Sequence, residues 1–342
     1  MTTTDTPDSP TPPTAKQPDR FLSGVQPSGL LHLGNYFGAI RQHIANQVEG
    51  SSFYFIANYH ALTTISDADV LRRNTFDVAA TYLALGLDPA RAVLFRQADV
   101  PEVTELTWLL LTVTGMGLLE RAVSYKDKVQ KGLAATAGLF NYPALMAADI
   151  LAFDANIVPV GKDQVQHVEM TQDMAQSFNA TYGRWSPRAD KTVFTVPKYR
   201  LGEAPYVPGI DGEKMSKSYN NTIPIFSTGK PLKKLVASIV TDSTPLEAPK
   251  DPDKCNVFAL YALFANAEEK QAMRERYLAG GYGYGDSKKA LVAKIEEHFA
   301  DARARREAFE KDPSLVEDVL REGARRAREV ARAVTDRARA AC

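Results

Sequence analysis

The sequence predicts an α/β protein: a parallel sheet followed by a C-terminal α-helical domain. Three observations carry this expectation. Short apolar runs that suit strands buried on both faces alternate with amphipathic helical stretches. The intervening lengths suit helical crossovers, which parallel strands require. From Asn256 onward the strand pattern stops, and Leu, Val and Ala recur at helical spacing among many charges over residues 288–310 and 313–340.

Residues 1–18 are Thr, Pro, Asp and Ser with almost no large apolar side chains, the composition of a disordered tail. Arg20-Phe21-Leu22-Ser23-Gly24-Val25 reads as a first strand and Gln26-Pro27-Ser28-Gly29 as a turn. A helix follows from about His32 to Val48, with Leu33, Tyr36, Phe37, Ile40 and Ile44 on one face. Ser52–Ala57 is a second strand, residues 67–86 a helix, Ala92–Phe95 a third strand and residues 102–115 a helix. Tyr142–Leu151 reads as a helix started by Pro143. Ile157–Val160 is a further strand, followed by a helix from about Gln164 to Asn179. The expected division is a tail at 1–18, a Rossmann-like catalytic domain at 19–205, a loop and connector at 206–235, and a helical domain at 236–342. Ligands of such sheets bind at the carboxyl ends of the strands, beside the switch point in strand order.

The bulk properties exclude some classes. Lys and Arg number 41, as do Asp and Glu, so a nucleic-acid partner must be met by local patches and not by net charge. Cys255 and Cys342 are too few for a disulfide framework or a Cys-based zinc site, which fits a reducing cytoplasm. No apolar run reaches transmembrane length, and no secretory signal is expected.

Three segments carry chemistry. In Ser23–Asn35, glycines 24, 29 and 34 let the backbone approach a nucleotide, and His32 and Asn35 stand at a helix start that favours anions. Taken alone, this segment serves equally as a plain strand–turn–helix corner. Lys214-Met215-Ser216-Lys217-Ser218 places two cations and two hydroxyls on one loop, which suits the charge developing on a leaving pyrophosphate. Asp149 lies one helical turn from Leu145 and Met146 on an otherwise apolar helix, where an ionised carboxylate is costly unless paired. By spacing alone its partner is more ordinarily another protein group. A donor such as an indole N–H is the functional alternative.

The first two segments resemble the HIGH and KMSKS motifs of class I aminoacyl-tRNA synthetases, with Asn35 standing where the class pattern has its second His. Leu145–Leu151, Val158–Gln164, Gln166-His167, Ser23–Gly29 and Leu119-Glu120-Arg121 resemble bacterial tryptophanyl-tRNA synthetases. The likeness runs from about Phe21 into the C-terminal helices. It departs in the long approach Thr195–Gly212 and in Asn220–Ile223 after the loop.

The resemblance implies that L-tryptophan is attached to tRNA(Trp) through tryptophanyl-adenylate, with ATP as substrate, Mg²⁺ and a homodimer. It implies that Asp149 takes the indole N–H, that Met146 packs on the ring, and that Gln26, Tyr142 and Gln164 hold the amino and carboxylate groups, with His60 nearby. Gln26 as well, with His32, Gly34, Asn35 and the loop residues Lys214, Met215, Ser216, Lys217 and Ser218, would bind ATP. Gly161 and Asp163 would take its ribose, and Lys128, Lys214 and Lys217 its phosphates. No metal-ligand set is expected. From 324 to 342, six arginines against two acids leave a local charge of +4. This stretch suits a tRNA backbone, and suits a solvated helix face equally well.

Overall fold

The computed structural model describes residues 19–47, 51–130, 132, 134–202 and 205–342, with the backbone alone at 124, 128 and 129. The expected tail at 1–18 and Val48 lie outside the described residues. Five parallel strands form one sheet in the order β3-β2-β1-β4-β5: β1 Arg20–Val25, β2 Ser51–Ile56, β3 Ala92–Arg96, β4 Ile157–Val160 and β5 Lys198–Leu201. Strand order reverses at β1. There β1 pairs with β2 from Arg20↔Ser51 to Val25↔Ile56, but with β4 only at Phe21↔Ile157. β1 and β4 therefore part towards their carboxyl ends, which opens a crevice where ligands of such sheets bind.

Alternation along each strand sends side chains to two cores. Phe53, Phe55, Val93 and Phe95 face the helices Glu102–Leu111, Ala137–Leu151 and Val165–Tyr182. Tyr54, Ile56 and Leu94 face the helix Ala68–Ala84 and the C-terminal helices.

Four local expectations change. The first helix holds Leu33–Asn46, but Tyr36–Ile40 within it is a π turn that carries Gly38 and Ala39 into the crevice wall. The helix bearing Asp149 starts at Ala137 and not at Pro143, because Thr136 Oγ1 caps it by accepting from Leu139 N at 3.2 Å. Pro143 lies inside, at the expense of one helical bond. The fourth change is β5, which the sequence reading lacks. It is a short edge strand with three of its four residues exposed, and its single Tyr199/Leu201 alternation is too brief to announce it.

The chain after Asn256 is helical, as expected: Asn256–Phe264, Ala267–Ala279, Tyr284–His298, Ala300–Lys311 and Ser314–Ala341. The last helix returns to the sheet. Arg96 at the end of β3 forms a fork with Glu317 at 2.8 and 2.9 Å. Gly323 lets this helix lie against β3, since a Cβ there would sit 1.9 Å from the Leu94 carbonyl oxygen. Alanine is the better intrinsic helix former, so this glycine is a packing requirement. Gly323→Ala is expected to destabilise the fold by about 1–3 kcal/mol or more, the usual overpacking cost, read as a lower midpoint in urea unfolding.

All six arginines from 324 to 342 have protein partners. Arg325 binds Glu322 and Glu329, Arg326 donates to Pro89 O, and Arg328 and Arg332 share Glu102. Arg337 binds Asp154 and Val193 O, and Arg339 binds Glu105 and Asp336. This basic stretch docks the helix on the sheet domain.

Candidate active site

A cleft of about 810 Å³ opens between the carboxyl ends of β1 and β4. Gln26 follows β1 directly, and Gly161, Asp163 and Gln164 follow β4, so both strands deliver polar groups to the rim. Tyr142, Met146 and Asp149 enter from the helix Ala137–Leu151, and His60 from the short helix Asn58–Ala61 after β2. Every residue expected around the amino acid therefore lines one cavity, although they come from four chain segments.

Asp149 is 1% exposed. Gln97 Nε2 lies 2.8 Å from both its oxygens, and His60 Nε2 lies 2.8 Å from Oδ2. Burial pushes the Asp149 carboxyl above the ordinary range, while the His60 contact and the Gln97 hydrogen bond oppose that rise. A carboxylate has about four lone-pair sites, so these contacts leave capacity towards the cleft. The Tyr142 hydroxyl is 2.7 Å from His167 Nε2, and its ring meets His60 edge-on. Gly161 follows from close approach, because a Cβ would lie 2.7 Å from Asp163 Oδ1. Gln166 ties the segment before the helix Val123–Gln130 to the cleft, donating to Arg121 O and accepting from Val123 N. Lys128 lies on that helix, and its side chain is outside the description.

The two motifs meet beside this cleft. Asn35 Oδ1 accepts from His32 N at 3.1 Å, which closes the helix start. Gly34 N contacts Met215 Sδ at 3.3 Å, and a Cβ at Gly34 would lie 2.9 Å from His32 Nδ1. Met215 is buried in the core, which anchors the loop to the first turn. Lys217 Nζ donates to Gly29 O at 2.8 Å and approaches Ser28 Oγ at 3.4 Å. Gly29 has φ +107°, a conformation that favours glycine. Burial, with Asp77 in opposition, lowers the Lys217 ammonium. Burial and then Lys217 hold His32 down to about 4, so it is a neutral imidazole at pH 7. Ser216 Oγ accepts from Ser218 N, while Lys214 and Ser218 are exposed. His32, Gly34, Asn35 and Lys214–Ser218 thus lie outside the walls of this cleft and form a second cluster.

Two residues of this arrangement are not among the expected site residues. Asn221, 1% exposed, is the spine of the Lys-Ser loop: Nδ2 donates to Asp211 Oδ1 and Lys214 O, and Oδ1 accepts from Ser216 N. Gln97, fully buried, supports Asp149. Its signal was a polar residue directly after a buried strand, at the end of the sheet where ligands bind.

The profile of the family described as tRNA synthetases class I (W and Y) matches residues 14–300. A tryptophan–tRNA ligase of Rhodopirellula baltica is 56% identical over 324 residues, which are 94% of this chain and 99% of that protein. One of Fusobacterium nucleatum is 52% identical over 313 residues, 91% of this chain and 94% of that protein. The crystal structure of tryptophanyl-tRNA synthetase from Campylobacter jejuni complexed with ADP and tryptophan superposes with a TM-score of 0.87 at 49% identity. It covers 93% of this chain and 97% of that one.

Proposed function

The chain belongs to the class I tRNA synthetases for tryptophan and tyrosine, and from that premise we propose how its residues divide the work. The reaction is the ATP-dependent attachment of L-tryptophan to tRNA(Trp) through tryptophanyl-adenylate. The observation that carries the choice of amino acid is Asp149, a buried acceptor in the wall of the cleft, held there by Gln97 and His60. A site that bonds a substrate N–H strongly rejects analogues lacking it. Met146 packs on the indole ring, and Gln26, Tyr142 and Gln164 hold the amino and carboxylate groups.

One tryptophan carboxylate oxygen then attacks the α-phosphorus of ATP, and the bond to the bridging oxygen of pyrophosphate breaks. Positioning and charge stabilisation supply the rate, and no enzyme nucleophile is needed. Lys128, Lys214 and Lys217 balance charge on the leaving pyrophosphate. Neutral His32, with Gly34, Asn35, Met215, Ser216 and Ser218, holds the nucleotide by hydrogen bonding and contact, and Gly161 and Asp163 take the ribose. In the second step the terminal ribose hydroxyl of the tRNA attacks the adenylate carbonyl and AMP leaves.

Among the described residues no three His, Cys, Asp or Glu side chains converge as a metal cage. Mg²⁺ would bind through the substrate phosphates beside Lys214 and Lys217, where it would neutralise charge. We read the enzyme as a cytoplasmic homodimer. Among the described residues no helix is long and apolar enough to cross a membrane.

The test is pyrophosphate–ATP exchange with tryptophan, tyrosine or no amino acid. Exchange with tryptophan alone is expected. Exchange with tyrosine would overturn the role given to Asp149.

A further inference from the structure

We infer that Gln97 is a positioning residue for tryptophan selection: its amide, oriented by two backbone N–H groups, holds the Asp149 carboxylate as the acceptor for the indole N–H. This rests on the role proposed for Asp149 above.

Gln97 opens the turn after β3 and is fully buried. Its Oε1 accepts from Tyr59 N at 3.0 Å and from His60 N at 3.3 Å. A backbone N–H only donates, so the atom facing Tyr59 and His60 must be the amide oxygen. The NH₂ group is thereby turned to Asp149, 2.8 Å from each oxygen. An NH₂ group only donates, so Asp149 must accept there. His60 Nε2 reaches the same carboxylate. Gln97 thus joins the ends of β2 and β3 to the helix Ala137–Leu151. It also seats the backbone of His60, the other group on Asp149. The carboxylate is tethered from the sheet side, and its free lone pairs are left for the cleft.

The arrangement selects against two failures. Without the amide donor, burial favours the protonated acid, which is a poorer acceptor. Without the tether, the carboxylate is free to rotate away from the indole position. Hydrogen bonds that exist only to hold an acceptor in place should change discrimination between substrates more than turnover.

The experiment compares tryptophan with 3-benzothienylalanine, in which sulfur replaces the indole N–H, by pyrophosphate exchange from about pH 6 to about pH 9. Wild type, Gln97→Glu and Gln97→Met are used. Glu keeps an acceptor for the two backbone N–H groups, but its second oxygen must share a proton with Asp149. The tryptophan KM of Gln97→Glu is therefore expected near the wild-type value at low pH, rising about tenfold or more as that proton is lost. Met cannot donate. Its tryptophan KM is expected to be raised about tenfold at low pH and partly restored at high pH, as Asp149 ionises. In both variants the KM for benzothienylalanine and for ATP should stay within about threefold of wild type, because neither ligand uses the Asp149 acceptor.

His60, Tyr142 and His167 face Asp149 directly or through one another, and His43, Asp127, Lys162 and Asp163 lie on the cleft walls. Dividing by the wild-type ratio at each pH removes their titration. If both variants lower use of the two amino acids equally, with no pH-dependent ratio, Gln97 is structural only and the proposal is overturned. If wild type does not prefer tryptophan over benzothienylalanine, the role of Asp149 falls first, and this inference with it.

Discussion

Lys217→Ala is expected to slow tryptophanyl-adenylate formation about 10²–10³-fold, the cost of removing one preorganised charge donor from a transition state. Tryptophan KM should change less than about threefold, because the lost interaction belongs to the leaving pyrophosphate and not to the amino acid. The structure supplies the reason for so large an effect from one lysine. Nζ is already seated on Gly29 O and near Ser28 Oγ, partly stripped of water, beside the first turn of the sheet. Its charge is therefore preorganised, and little reorganisation remains at the moment of reaction. The same burial lowers its basicity, so the fold holds the ammonium at a cost. The alanine variant should keep its unfolding midpoint while losing rate. Single-turnover adenylate formation and a denaturant titration together check this. An unchanged rate would remove the loop from the mechanism.

Asp149→Ala carries the second large effect. Tryptophan KM is expected to rise about 10²-fold or more, and preference over phenylalanine to collapse, because the acceptor proposed for the indole N–H is gone. The substitution also leaves Gln97 Nε2 and His60 Nε2 without their acceptor, each a buried donor costing about 1–3 kcal/mol. An opposing term follows from burial. The folded pKa of Asp149 is raised, so the stability this group contributes is greatest below the unfolded carboxylate range and falls as pH climbs through the folded value. Asp149→Ala should remove that decline. In the wild type, protonation on the acid side weakens the acceptor, so tryptophan KM should increase as pH falls through the folded value. Unchanged selectivity over phenylalanine would sink the indole reading.

The parts legible in the sequence were those written in neighbouring residues. Arg20–Val25 and Ile157–Val160 became strands at those bounds, each built on two adjacent buried apolar residues that a short sheet strand can cover. Asp149 stood out because a carboxylate on an apolar helix demands a partner, and the structure supplies two. Three kinds of feature were not legible. β5 has almost no buried face and spans four residues, too few for its alternation to mark it. The start of its helix at Ala137 depends on the Thr136 cap, and Pro143 was the louder but misleading signal. The arginines of the last helix offered two readings, and their acidic partners lie up to 234 residues away.

The sequence by itself determined the strand–helix alternation, the two motifs proposed to bind nucleotide and the carboxylate that must be paired, since periodicity and the cost of a buried charge act locally. Tertiary structure alone decided which groups answer one another. Reversal of strand order at β1 parts β1 from β4 and opens the cleft. It also brings Gln97 to Asp149 across 52 residues and Lys217 to Gly29 across 188. Hydrogen bonds and charge contacts act over a few ångströms of space, and only the folded chain converts sequence separation into that distance.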